Sequence, residues 1–214
     1  MSDVLLDSHL NDMYYITNII EDDELYSPKF EKFGAKKQDY PNKHLSASCW
    51  NSILGDEYEK FFTFTFVRNP YARSLSLYLH HCRVFTGRWD LSAEDIYKNN
   101  KRLSINADMV DYLDENEPVQ FSFEYFIKNF LCHPISLTQI EFLQGPTVSF
   151  MGRTESIDSH FKELAAKLGI ESKELPKLNV GGTEAVHDMF YTPKLKDMVY
   201  ERQREDFESL DYQR

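Results

Sequence analysis

Two arginines and a serine hydroxyl are spaced so that they could close on one anion. The stretch FFTFTFVRNPYARSLSLY, residues 61–78, puts Arg68 directly after a phenylalanine-rich run, with Arg73 and Ser76 following. A guanidinium grips phosphate oxygens with a rigid fork of donors, and a hydroxyl adds one more donor at short range. Arg73 and Ser76 are three apart, so on a helix they share a face, and their side chains lean back toward Arg68. The same spacing also suits an ordinary strand–helix junction with a surface arginine, and local pattern alone does not separate the two. His80, His81 and Cys82 form a second group. Neighbouring helical residues point in different directions, so these three do not suit one metal ion. No Cys-x-x-Cys or His-Glu-x-x-His spacing occurs, and no metal is expected.

The elements that must position the arginines follow from periodicity. Phe62, Phe64 and Phe66 alternate with Thr63 and Thr65, the period of a strand. Phe61 and Val67 add apolar bulk to the other side, so a strand covered on both faces is expected, as inside an α/β sheet. Arg68 would stand at its carboxyl end, where open α/β sheets bind ligands. Asn69 suits a helix N-cap and Pro70 a first turn, so a helix is predicted from Pro70 to about Cys82. Its N-terminus would offer unpaired N–H groups and a positive dipole end to a phosphate. Further along, the pattern predicts a helix from Phe121 to Leu131 capped by Ser122 and a short strand at 147–151. A helix ended by Gly169 follows, and a last helix opens on Thr192 and Pro193. Residues 83–120 read as short helices and loops, and 179–185 as a turn. Residues 1–26, acidic and without Lys or Arg, read as an amphipathic helix, followed by a basic loop at 27–43.

A chain of 214 residues fits one domain spanning 1–214. Its net charge of −11 repels polyanions at long range, so nucleic acid and heavily sulfated glycans are not expected partners. A small anion can still bind, because a few fixed donors at short range outweigh a diffuse field. No apolar run reaches the length of a membrane helix, and the first residues lack the pattern of a signal peptide. Three well-separated cysteines suit reduced thiols, and a cytoplasmic location is expected. Composition does not indicate an oligomeric state.

FTFVRNPYARSLSLY resembles the 3′-phosphate-binding segment of the carbohydrate sulfotransferases of the family-2 type. In that segment Arg-(Asn/Asp)-Pro follows an apolar strand, and a serine stands eight positions after the arginine. NKHLSASCW upstream is similar to that family's Lys-His-apolar-Ser-Ala segment. FMGRTESIDSHFKELAAKLGI is similar to its Gly-Arg-x-Glu segment and the helix after it. LPKLNV and MVYERQREDFESLDY match the usual end of the domain, and together these blocks cover about residues 40–214.

The resemblance implies a P-loop-NTPase-like three-layer α/β fold with a mainly parallel central sheet. It implies the donor 3′-phosphoadenosine 5′-phosphosulfate (PAPS), whose 3′-phosphate Arg68 and Ser76 would bind, with Arg73 in the second-arginine position. It also implies a carbohydrate or other small hydroxyl acceptor, and His44 as the base that takes the acceptor's proton, a task suited to imidazole. Arg153 would contact the nucleotide or pair with Glu155. Residues 83–120 would carry acceptor contacts, since loops between core elements usually carry specificity.

One part of the family pattern has no counterpart in the sequence. The loop that holds the 5′-phosphosulfate, roughly Pro-Lys-x-Gly-Thr, is not found in residues 1–40, an atypical segment whose single glycine is Gly34. Three explanations are open: a shortened family member, a reading that begins too late, or an unfamiliar loop in which Lys36 or Lys37 serves. The alternative to an active sulfotransferase is therefore an inactive relative that binds nucleotide or a protein partner. A kinase-like P-loop protein is disfavoured, because no Gly-x-x-x-x-Gly-Lys-(Ser/Thr) occurs.

Overall fold

The computed structural model describes residues 46–99, 104–105, 119–131, 138–172, 175 and 183–214. Outside them lie the expected N-terminal helix, the basic loop with Lys36 and Lys37, His44, Cys132, most of 100–118 and the first four residues of the predicted turn at 179–185. The described residues form a mixed α/β structure, mostly helical, in two compact units. One unit holds the described residues of 46–67 and 139–175, and the other those of 68–138 and 183–214.

The first unit contains helix α1 (Ala47–Leu54), a 3-10 turn (Gly55–Lys60) and strand β1 (Phe64–Val67). Its second stretch of chain adds three elements, α5 (Gln139–Leu143), β4 (Phe150–Arg153) and α6 (Ile157–Leu168). Strands β1 and β4 pair in parallel, with Phe66 opposite Gly152 and Val67 opposite Arg153. The ladder is shorter than periodicity suggests, and β4 begins at Phe150, not at residue 147. The cause is a side-chain exchange just ahead of both strands. Thr63 N–H donates to Ser149 Oγ at 3.2 Å, and Ser149 N–H to Thr63 Oγ1 at 3.0 Å. Two hydroxyls thus take backbone bonds that a longer ladder would have made.

The expectation of a strand covered on both faces holds only at Val67. Phe64 and Phe66 are half-buried, while Phe61 and Phe62 are exposed. Gly169 ends α6 as predicted, at φ 68° with its N–H on Ala165 and Ala166 carbonyls.

The second unit is built around one long helix, α2 (Pro70–Thr86). It packs against α3 (Ala93–Asn99), α4 (Phe123–Asn129), α7 (Thr183–Phe190) and α8 (Pro193–Arg202), while α9 (Arg204–Ser209) packs on α8. Short strands β2 (Ser104–Ile105) and β3 (Val119–Gln120) pair antiparallel. Asn69, Ser122 and Thr192 cap α2, α4 and α8 through their side-chain oxygens, as predicted. Helix α2 runs one turn beyond Cys82. Its stop is Gly87, whose φ of 65° lets its N–H close on the Arg83 and Val84 carbonyls. Residues 183–185, read from the sequence as part of a turn, instead open α7, which carries Phe190 into the core.

That core is aromatic. Tyr71, Leu75, Tyr78, Leu79 and Cys82 lie along one face of α2 and meet Phe121, Phe123, Phe126, Phe130, Phe190 and Phe207. Tyr78 is its hub, with its ring within 6 Å of four phenylalanine rings and its hydroxyl donating to the Phe121 carbonyl at 3.1 Å. A buried tyrosine needs such a partner for its hydroxyl.

Gly152 is required by space. A Cβ there would lie 2.6 Å from Cδ1 of Phe66, the residue opposite it in the ladder. Gly152→Ala should destabilise the protein by about 1–3 kcal/mol, the usual cost of overpacking. Urea unfolding of the variant checks this, and a Phe66→Leu background should recover part of the loss.

Candidate functional site

Arg68, Arg73 and Ser76 all belong to the second unit, Arg68 just ahead of α2 and Arg73 and Ser76 on it. The chain leaves β1 at Val67, passes Arg68, and enters the helix through Asn69. Asn69 Oδ1 accepts the Tyr71 N–H at 2.9 Å and the Ala72 N–H at 3.4 Å, and the Asn69 carbonyl accepts the Arg73 N–H at 2.9 Å. Pro70 has no N–H to offer. Every backbone donor of the first turn of α2 is therefore absent or already engaged. This corrects the expectation that the helix N-terminus presents unpaired N–H groups to a phosphate. An anion held here must be held by side chains, with the dipole as background.

The side chains suit that task. At 100° per residue, Tyr71, Ser74, Leu75, Tyr78 and Cys82 form the buried face of α2, and Arg73, Ser76 and His80 lie on the opposite face. Arg68, Arg73 and Ser76 are each half-buried, and Nη1 of Arg73 is enclosed by protein. Ser74 and Thr86 turn their hydroxyls onto the carbonyls of Pro70 and Cys82, both at 2.7 Å. The Ser76 hydroxyl makes no such bond among the described residues, so its proton remains available to a ligand. No acidic residue stands in the first turn of α2.

A buried polar contact holds this turn from below. Ser74 Oγ lies 2.7 Å from the Pro70 carbonyl and 3.1 Å from Gln203 Oε1, while Gln203 Nε2 is buried with no hydrogen bond among the described residues. One hydroxyl proton cannot serve two acceptors. The chemistry closes when the amide presents its NH2 to Ser74 Oγ and Ser74 donates to Pro70. Tyr191 adds a third tie, its hydroxyl donating to the Tyr71 carbonyl at 2.8 Å. Sequence reading missed Ser74 and Gln203. The available signal was a serine on the apolar face of α2, among Tyr71, Leu75 and Tyr78.

Arg153 belongs to the first unit, where it ends β4 opposite Val67. Its N–H donates to His160 Nδ1 at 2.8 Å, which fixes the entry to α6.

The His80–His81–Cys82 group divides as helical geometry requires. His80 is exposed. His81 Nδ1 donates to the Leu77 carbonyl at 2.8 Å, and burial keeps the ring below the ordinary histidine range despite that bond. Cys82 is a core residue whose thiol burial pushes up to about 12. No cluster of three His, Cys, Asp or Glu suited to a metal occurs among the described residues. Among them, no helix is long and apolar enough to cross a membrane.

Residues 22–213 match the model of the sulfotransferase family. This chain belongs to the sulfotransferase family. No curated protein and no solved structure matches it. The match includes all of α2, and it reaches upstream past His44, Lys36 and Lys37. In this sulfotransferase-family chain Arg73 and Ser76 thus sit on a helix whose opposite face is the hydrophobic core, and Arg68 stands just before its cap.

Two outcomes follow for the site's support. Asn69→Ala should cost about 1 kcal/mol in urea unfolding through loss of the cap. The Cys82 thiol, ordinarily ionising near 9, resists ionisation in the fold up to about 12, and burial also pushes the Tyr78 and Tyr191 hydroxyls up. The contribution of the Cys82 thiol to stability is therefore full below pH 9 and declines as pH rises from 9 toward 12, because the unfolded thiol ionises first. An alkylating reagent at pH 8 should label Cys82 only after denaturation, and Cys82→Ala should lessen the alkaline loss.

Proposed function

We propose that this chain is a PAPS-dependent sulfotransferase that moves a sulfuryl group to a hydroxyl of a carbohydrate. The observation that carries this reading is the outer face of α2, which Arg73 and Ser76 share just after Arg68, and where the Ser76 hydroxyl makes no hydrogen bond among the described residues. The membership of the family supports it. These residues fit a terminal phosphate: two guanidiniums to share its charge, one hydroxyl to donate, and no carboxylate in the first turn to oppose it. Bound PAPS would supply a sulfuryl group whose transfer to an alcohol oxygen leaves adenosine 3′,5′-bisphosphate and frees the alcohol's proton.

The chain's own residues take the remaining roles. Arg68 and Arg73 bind the 3′-phosphate and anchor the nucleotide, and Ser76 Oγ–H completes its hydrogen bonding. His44 takes the acceptor's proton, as a group that titrates near neutrality can. The three-layer sheet of the family belongs to this same proposal, supported by the parallel pairing of β1 with β4.

Calorimetric titration with adenosine 3′,5′-bisphosphate tests the anchor. Arg68→Ala should weaken binding at least about 100-fold, since charge-assisted bonds contribute about 1.5–3 kcal/mol each, and Ser76→Ala about five- to ten-fold. Equal binding by Arg68→Ala and the unaltered chain would remove the assignment. Transfer of label from radioactive PAPS to a sugar decides between the enzyme and a relative that binds nucleotide without turnover.

A further inference from the structure

Most of the described aromatic side chains of the second unit are gathered inward, and Trp89 is the most exposed of them. Trp89 is 64% exposed. Its loop is nevertheless tied down on both sides. Gly87 N–H closes on the end of α2, Arg88 N–H donates to both the Arg83 carbonyl (3.1 Å) and Thr86 Oγ1 (3.4 Å), and Arg83 Nε donates to the Leu91 carbonyl at 3.0 Å. A pinned turn therefore holds the indole outward, at a continuing cost in exposed apolar surface. On either side in sequence, Arg88 and Asp90 form an exposed two-point ion pair, with contacts of 2.7 and 3.4 Å. The His80 ring lies 5.6 Å from the indole, tilted by 59°.

His80 joins this loop to the anion site. It lies four residues after Ser76 on the outer face of α2, about 6 Å further along the helix axis. The polar face thus runs from Arg73 and Ser76 to His80 and on to Trp89, within one compact unit. A ring of apolar C–H groups with a polar hydroxyl edge matches such a feature: the indole takes the flat face, and Arg88, Asp90 and His80 offer donors and acceptors to the edge. The patch is one indole wide, far below the roughly 800 Å² per side of a stable protein interface. Its flanking charges cancel, and the chain's net −11 disfavours a polyanionic ligand.

We propose that Trp89, with His80 beside it and the Arg88–Asp90 pair at its edge, is the platform on which a neutral pyranose of the acceptor stacks. The assignment rests on the carbohydrate-acceptor reading above, and it names the subsite.

Saturation-transfer NMR with maltose, lactose and N,N′-diacetylchitobiose tests it on the full chain. At least one disaccharide should receive saturation from the unaltered protein. Trp89→Ala should weaken its binding about ten-fold, the scale of truncating a binding tryptophan, and Trp89→Phe should restore most of it. His80→Ala should also weaken it. Because Trp89 is exposed, thermal stability should not change. Binding of adenosine 3′,5′-bisphosphate should be the same in every variant. If no disaccharide receives saturation, or Trp89→Ala binds as well as the unaltered chain, the subsite is wrong even where the bisphosphate binds. If sugar binding depends on Trp89 but the bisphosphate does not bind, the subsite stands and the sulfotransferase reading falls.

Discussion

The carboxamide of Asn69 fixes where the central helix starts, and much of the second unit depends on that start. By accepting the Tyr71 and Ala72 N–H groups it makes Pro70 the first helical residue. Once the first residue is set, the helical period fixes the direction of every later side chain. Tyr71, Ser74, Leu75, Tyr78 and Cys82 then turn toward the phenylalanine core, and Arg73, Ser76 and His80 turn away from it. A start one residue later would rotate the pattern by about 100° and swing the apolar face off the phenylalanine core.

The cap and the core therefore serve the site jointly. Asn69 consumes the backbone donors that a helix N-terminus usually offers to an anion, so the site is one of side chains. The core holds the helix that carries those side chains, since α2 is packed by four other helices. The Ser74–Gln203 contact and the Tyr191 hydroxyl brace the same first turn through residues more than a hundred positions away.

The features legible in the sequence were those carried by a few adjacent residues. Asn69–Pro70, Ser122, Thr192–Pro193 and Gly169 each signal a helix end by local chemistry, and each stands where that chemistry predicts. The gathering of Arg73 and Ser76 on one face was equally legible, because it depends only on a spacing of three. What was not legible depends on partners distant in the chain. The strands start late because Thr63 and Ser149, 86 residues apart, exchange hydroxyl bonds. Ser74 is meaningful only beside Gln203, 129 residues on. The full use of the first-turn donors was missed for a different reason: Asn69 was recognised as a cap, but the bonds it makes were not counted against those an anion would need. The glycine of the Gly-Arg-x-Glu segment likewise acquires its reason only from Phe66 across the ladder.

The central claim is that side chains on the outer face of α2, and not the helix's backbone donors, receive a phosphate. A titration of isotope-labelled protein with adenosine 3′,5′-bisphosphate, followed by amide and arginine Nε–H NMR signals, tests it most directly. The account predicts that the Nε–H signals of Arg68 and Arg73 and the amide of Ser76 shift with one saturating affinity, while the Tyr71 and Ala72 amides keep the signature of their bond to Asn69. Displacement of the Asn69 cap, with the largest shifts at Tyr71 and Ala72 and none at the arginines, would contradict it.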